Sequence, residues 1–561
     1  MGNCGDGERA TPGALSNAPG AAGRKAQLGG RRGWPGRGRG GRRPFPCFLI
    51  GARAPEDRSL GISRAASEGI KVWLALGGGG LALAWRFLPA KLARAVLVMT
   101  VLAAGAVYAR FNVETLTKRL DNYDLIHYYL NAKYFPELGY YDLYPACLVA
   151  DKEQGPRWES GPTYMAAGED GDHFAPIAGA YTRGREVKAA FTPERWKAFT
   201  HDFLYIQRQG KGLGADLWRQ LIQDHGYNGT PAWTVEAMPI VNLVPVEYLK
   251  WVCYIDVLLL LLALMAIWWA YDADAALFVA LFLLTTYSTR WPLIATALLR
   301  YDYLSGMLIA MCMLKKGQPL VAGLLTGWAG TLRIFPVVWM FGPAMKGVFG
   351  LAQGRVSKPL LVLAGGFLLA VAAVEAGSVV VLGVDAITIH TRDIRQHASA
   401  AELSSRRAGL ALALPFRGDV EPKNITKVMR RQVEEQKHLR YGIAAAFLLA
   451  LGWALRRADD DEVYAFGFAP FFALTTASYY YYVSRATLIL AHAARRTSWR
   501  HATGLAMLFG IDAFSNWAEV NHPEHRVYLI GYLGWMLCGY FLVMLVWAGA
   551  ESMRKSTVRS D

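Results

Sequence analysis

What this 561-residue chain lacks narrows it first. Its six cysteines, Cys4, Cys47, Cys147, Cys253, Cys312 and Cys538, are scattered, with no Cys-x-x-Cys pair and no metal-ligand spacing. That pattern predicts neither a disulfide framework nor a zinc site. Acids are in the minority: 44 Asp and Glu against 60 Lys and Arg leave a formal charge of +16. Much of the excess lies between Arg24 and Arg64 and the rest near the ends of apolar runs. Topology and anionic lipid explain that distribution better than nucleic acid does. No internal repeat is visible, which weighs against an inverted-repeat transporter. No small-residue cleavage site follows a simple apolar core near the start, so the layout of a signal peptide is missing.

What is present is apolar. Hydrophobic residues make up 53% of the chain, aromatics 12%, and the mean hydropathy is +0.19. Several runs approach the ~20 apolar residues needed to cross a bilayer. The expected fold is an all-α polytopic membrane protein with about 10–13 transmembrane helices and two larger extracytoplasmic loops. Residues 1–68, rich in Gly, Pro, Ala and Arg, predict a disordered basic tract, because they bury too little apolar surface to offset chain entropy. Residues 69–91, interrupted by Gly77 to Gly80, predict an interfacial or partial helix, and 92–561 the transmembrane domain. Basic clusters place both termini on the cytoplasmic side and the loops 110–247 and 384–440 outside. Within the first loop, the spacing of apolar residues predicts a helix from Pro193 to Ile206. The stretch Pro319 to Pro343, interrupted at Arg333, reads as two half-spans, which membranes tolerate where they line a cavity.

The residues that could carry chemistry gather around one stretch, Asn122 to Tyr144, just after the first long apolar helix. It holds acids, His127, Lys133 and seven tyrosines. An acid here can serve as a general base taking the proton of an attacking hydroxyl. Asp124 is preferred, since Tyr128 follows one helical turn later on the same face; Asp121 is the close rival, and a solvated loop acid or helix N-cap is the bland alternative. Lys133 is a candidate for sugar or phosphate contact, or a local partner of Glu137 four residues on. Arg290, Arg300, Arg333 and Arg485 lie near the outer face, where charge is costly and marks a pathway or a partner. Such cations can hold a phosphate leaving group, although Arg300 could pair with Asp302, and Arg333 could satisfy a freed helix carbonyl. His390 and His397, seven apart, suit phosphate or sugar hydrogen bonding more than metal, for want of a third ligand. The run Tyr479 to Tyr482, with Tyr480 and Tyr481 at its centre, reads as an interfacial belt or a ring platform.

Three segments carry a family resemblance: Asp124-Leu-Ile-His-Tyr-Tyr-Leu-Asn-Ala-Lys-Tyr-Phe, Tyr301-Asp-Tyr-Leu-Ser-Gly-Met-Leu-Ile-Ala-Met, and Ala322-Gly-Leu-Leu-Thr-Gly-Trp-Ala-Gly-Thr-Leu-Arg-Ile-Phe-Pro. With the late Tyr-Tyr-Tyr-Tyr-Val-Ser run they resemble, in order and placement, the GT-C class of membrane glycosyltransferases, and within it the polyprenyl-phosphate-mannose-dependent family 87 type. The resemblance implies an inverting, metal-independent transfer of a hexose, mannose in that branch, from a polyprenyl-phosphate donor to a lipid, glycan or protein acceptor. It implies no cofactor and no nucleic acid, an active site on the extracytoplasmic side of a bacterial plasma (inner) membrane, and Asp124 as base. Two departures stand out: the first loop is long for this branch, and Arg333 occupies a position where lysine is expected. The competing class is a membrane transporter or lipid flippase using the same charges as a pathway.

Overall fold

The computed structural model describes residues 61–168, 171–209, 214–290, 292–397, 407–416, 430–522 and 526–557. Most of the basic tract, and the segments 398–406 and 417–429 of the second loop, lie outside the described residues. The described residues are mainly helical, joined by turns and loops. Among them are two small antiparallel strand pairs, Thr163–Ala166 with His173–Pro176 and Arg407–Ala408 with Ala477–Ser478.

Five described helices are long and apolar enough to cross a membrane: Ala90–Tyr108, Val246–Ala270, Lys358–Leu382, Lys437–Leu455 and Gly531–Arg554. Their outward faces carry large apolar side chains such as Leu258, Leu261, Met265, Trp268, Leu368 and Leu369. A continuous apolar face of this kind suits lipid and would be a liability in water. Shorter apolar helices fill the space between them, including Ala273–Thr285. The expected break in the 319–343 stretch falls at Ile334. Helix Pro319–Arg333 ends there with φ at 59°, and a tight 3₁₀ segment, Phe335–Met340, leads into Phe341–Leu351. Pro336 cannot donate a helical hydrogen bond, so the chain turns where the sequence interrupts it.

Close backbone contact joins Pro319–Arg333 to Lys358–Leu382. A Cβ placed on Gly323 would stand 2.1 Å from the Leu363 carbonyl oxygen, and one on Gly366 2.5 Å from that of Leu320. Small residues at such spacing let helices approach where no hydrophobic effect drives them together.

The expected interruption of residues 69–91 at Gly77 to Gly80 needs correction, although the helix found there is not among those long and apolar enough to cross a membrane. Arg64–Ala84 is one 21-residue helix that starts before the expected boundary at 68 and runs through the four glycines. Gly78 and Gly79 face Leu281, Ala506 and Phe509, so the lack of side chains serves packing rather than interrupting the helix. It pairs antiparallel with Ala90–Tyr108: the Ser67 hydroxyl donates to the Val107 carbonyl at 3.0 Å, and the Ile62 N–H to that of Arg110 at 3.1 Å. Residue 62 therefore stands at the end of the bundle that carries the 110–247 segment, which the expected path had separated from the N-terminal side.

The 110–247 segment builds its own apolar core from Tyr129, Leu148, Phe199, Phe203, Trp218 and Trp233, among others. The expected helix is there as Pro193–Arg208, with the Thr192 hydroxyl capping it by accepting from the Arg195 N–H at 3.2 Å. Burial of its apolar face, rather than propensity, holds such a helix in place.

Candidate functional site

Asp124 sits on a one-turn helix, Asn122–Leu125. Asp121 caps that turn: its carboxylate accepts from the Asp124 N–H at 3.1 Å, and its own N–H donates to the Thr296 carbonyl at 2.8 Å. Asp121 is thus the N-cap that the sequence offered as its bland alternative. A π-helical turn, Ile126–Leu130, follows directly. Such wide turns are rare and recur at functional sites. This one carries His127, whose Nε2 lies 2.6 Å from the Tyr144 hydroxyl, and Tyr128.

The Asp124 carboxylate is buried, and neither oxygen has a hydrogen-bond partner. Among the described residues it forms an ion pair with Arg300, whose Nη2 lies 3.1 Å from Oδ1. Arg300 does not pair with Asp302, whose Oδ1 accepts from the Tyr303 N–H at 2.7 Å. The Arg300 guanidinium lies over the rings of Tyr128, at 4.5 Å, and Tyr480, at 5.4 Å. Burial pushes the Asp124 carboxyl up to about 7, although Arg300 pulls the other way. A carboxyl in that range suits a general base working near neutral pH.

A loop sets Arg300 in place. Asp256, from the apolar helix Ile255–Ala270, accepts from the N–H groups of Arg300 at 2.9 Å and Tyr301 at 3.0 Å. The indole of Trp233 donates to the Leu299 carbonyl at 3.1 Å, and Arg333 Nη2 donates to the same oxygen at 2.7 Å. Leu299 and Ile334, neighbours of the two arginines, both hold positive φ, at 47° and 59°. Non-glycine residues in that region are strained and persist only where surroundings over-determine them. Arg300, Arg333, Tyr303, Tyr480 and Tyr481, with Pro292 and Tyr301, line one cavity of about 10 Å³. That is room for roughly one water molecule, so a phosphate enters only if the tyrosine rings move aside. Tyr480 and Tyr481 stand 4.3 Å apart on the 3₁₀ segment Tyr479–Arg485, just after the short strand pair that holds Ala477–Ser478.

The other expected residues are distributed differently. Lys133 forms an ion pair with Asp202 at 2.7 Å, and Glu137 one with Arg195 at 2.7 Å, so the two do not pair with each other. Arg485 is buried against Asp512 at 2.9 Å and donates from Nε to the Tyr482 carbonyl at 3.0 Å. Its charge is taken up inside the bundle, away from the cavity. Arg290 likewise pairs with Glu519. His390 is buried on helix Val384–His397 and lines a separate cavity. His397 ends that helix, and its side chain lies outside the described residues. Asp256 and Trp233 were missed from sequence. Asp256 could have been found, since a lone acid within an apolar run is costly and marks a role; Trp233 carries no such signal. Among the described residues no cluster of His, Cys, Asp and Glu could hold a metal ion. Compared with known protein families, curated proteins and solved structures, the chain matches none.

Proposed function

We propose that this chain is an inverting glycosyltransferase that moves a hexose, mannose in the branch it resembles, from a polyprenyl-phosphate donor to a hydroxyl acceptor on the non-cytoplasmic face. One observation carries the reading: a buried carboxylate without hydrogen-bond partners among the described residues, Asp124, lies behind Arg300 and pairs with it, and Arg300 lines a cavity together with Arg333 and the tyrosines. The acceptor oxygen attacks the anomeric carbon as the bond from that carbon to the phosphate oxygen breaks. The electron pair leaves with the polyprenyl phosphate, and the hydroxyl proton goes to Asp124. Arg300 and Arg333 supply donors where negative charge gathers on the leaving phosphate, the position at which fixed cations lower a barrier. The base and one of the cations share an ion pair, so a phosphate arriving at Arg300 competes for it and frees Asp124 for the acceptor proton.

The test is purified protein in lipid nanodiscs with a radiolabelled polyprenyl-phosphate hexose. The expected result is release of polyprenyl phosphate, with donor affinity reduced about tenfold or more in Arg333→Ala, the loss of one charged hydrogen-bonding contact of ~1.5–3 kcal/mol. A protein that moves the intact donor between leaflets without cleaving it is a flippase, and that result would replace this reading.

A further inference from the structure

A second cavity lies on the outer segments. Its lining includes His390 and Asp393 from helix Val384–His397, Asp172 and His225 from the 110–247 segment, and the rings of Tyr140 and Tyr227. We propose that it is the subsite for a neutral, hydroxyl-rich acceptor, a carbohydrate that bears no phosphate where it binds. This assignment rests on the transferase reading above.

Three observations carry it. First, the lining has two carboxylates and neither lysine nor arginine. Ionised carboxylates only accept hydrogen bonds, so they favour hydroxyl donors and repel phosphate. Asp172 is held by His225 at 2.7 Å; Asp393 accepts from the Tyr141 hydroxyl at 3.2 Å and pairs with Arg392, whose Nε lies 3.5 Å away outside the lining, and these contacts fix their orientation. Second, His390 is 7% exposed and its Nε2 has no hydrogen-bond partner. A buried polar atom left unpaired is costly, so it points to a missing partner. Burial lowers the imidazole to about 4, so it is neutral at physiological pH and offers one donor or one acceptor without charge. Third, Tyr140 and Tyr227, which both line the cavity, stack 5.7 Å apart at 29°, and Tyr140 lies 6.0 Å from the His390 ring, so ring edges beside the imidazole give the C–H groups of a sugar an apolar contact.

A chain of side-chain contacts links the cavity wall to Arg300. Asn228, on its wall, accepts from the Tyr128 hydroxyl at 2.5 Å, and Tyr128 underlies Arg300, the partner of Asp124. The enclosed part is only about 40 Å³, a few waters' worth. It therefore takes one hydroxyl-bearing edge of the acceptor while the rest of the sugar extends through the mouth.

The experiment is ligand-observed saturation-transfer NMR on the full chain in nanodiscs, with a neutral methyl hexoside and the matching hexose 6-phosphate as probes. Transfer to the methyl hexoside is expected, and any transfer to the phosphate ester, which the Arg300 and Arg333 cavity can hold, should be unchanged by His390→Ala. His390→Ala should abolish the signal, His390→Gln should keep part of it, and Asp393→Asn, at a half-exposed position that tolerates the change, should weaken it several-fold. Phosphate-ester binding that His390→Ala abolishes as it does hexoside binding, or methyl hexoside binding that survives both His390→Ala and Asp393→Asn, overturns the subsite. Wild-type protein that binds the hexoside selectively yet cleaves no polyprenyl-phosphate donor supports the subsite while defeating the transferase reading.

Discussion

Replacing Asp124 with asparagine separates a base from a counter-ion. Asparagine keeps the shape and removes the negative charge facing Arg300 at 3.1 Å. If Asp124 takes the acceptor proton, turnover falls by ~10²–10⁴-fold, or ~2.7–5.5 kcal/mol at 1.36 kcal/mol per tenfold. The same change leaves Arg300 buried without its partner, and breaking a buried pair costs ~3–5 kcal/mol. That stability cost is an upper value, because the Tyr128 and Tyr480 rings stay on the guanidinium and each retains ~0.5–2 kcal/mol of attraction. Rate and stability must therefore be measured on the same preparation: single-turnover release of polyprenyl phosphate, and thermal unfolding in detergent. The pH profile decides between the two roles. The Asp124 carboxyl is raised to about 7, and a base works only when deprotonated. Wild-type kcat/KM should then fall about tenfold per pH unit below about 7, while the residual rate of Asp124→Asn stays flat there. Asp121→Asn is the control, since asparagine is as good an N-cap as aspartate and should leave both readouts near wild type. Asp124→Asn transferring sugar at the wild-type rate refutes the mechanism; loss of rate that tracks only loss of folded protein, with the pH limb unchanged, returns Asp124 to a structural role.

Three further outcomes are expected. Arg485→Ala should lower stability by ~3–5 kcal/mol by stranding Asp512 in the interior, seen as a lower unfolding midpoint, while donor affinity per folded molecule stays unchanged. Gly323→Val should cost ~1–3 kcal/mol or more, because its new atoms would meet the Leu363 carbonyl; an unchanged midpoint would contradict the close packing of these two helices. In intact membranes, a membrane-impermeant thiol reagent added outside should modify Gly168→Cys and not Asp459→Cys, and the reverse pattern would discard the orientation on which the proposed site depends.

The class of the molecule follows from local chemistry, and so sequence carries it. Runs such as Leu258 to Leu262 hold their own apolar content, and Pro336 interrupts a helix wherever it lies. Asp124 was singled out for its place after an apolar helix, its spacing to Tyr128 and the order of the resembling segments. Arg300 was singled out too, as a phosphate contact, but its pairing with Asp124 was not, because it lies 176 positions away by the numbering and also neighbours a nearer acid, Asp302. Only the loop pinned by Asp256 and Trp233 turns that guanidinium toward Asp124. The same limit explains Arg485 and Lys133: charge and depth mark both as candidates, but Asp512 and Asp202 reach them from distant parts of the chain. The glycine run at 77–80 reads as an interruption one residue at a time; against Phe509 and Ala506 it becomes a packing surface. Periodicity and composition are properties of neighbours along the chain, so the sequence determined the all-α, apolar class, while the expected 10–13 spans stand against five described helices long and apolar enough to cross a membrane. Which charges are spent within the protein and which remain open to a ligand depends on partners brought together by folding, and the tertiary structure alone decided that.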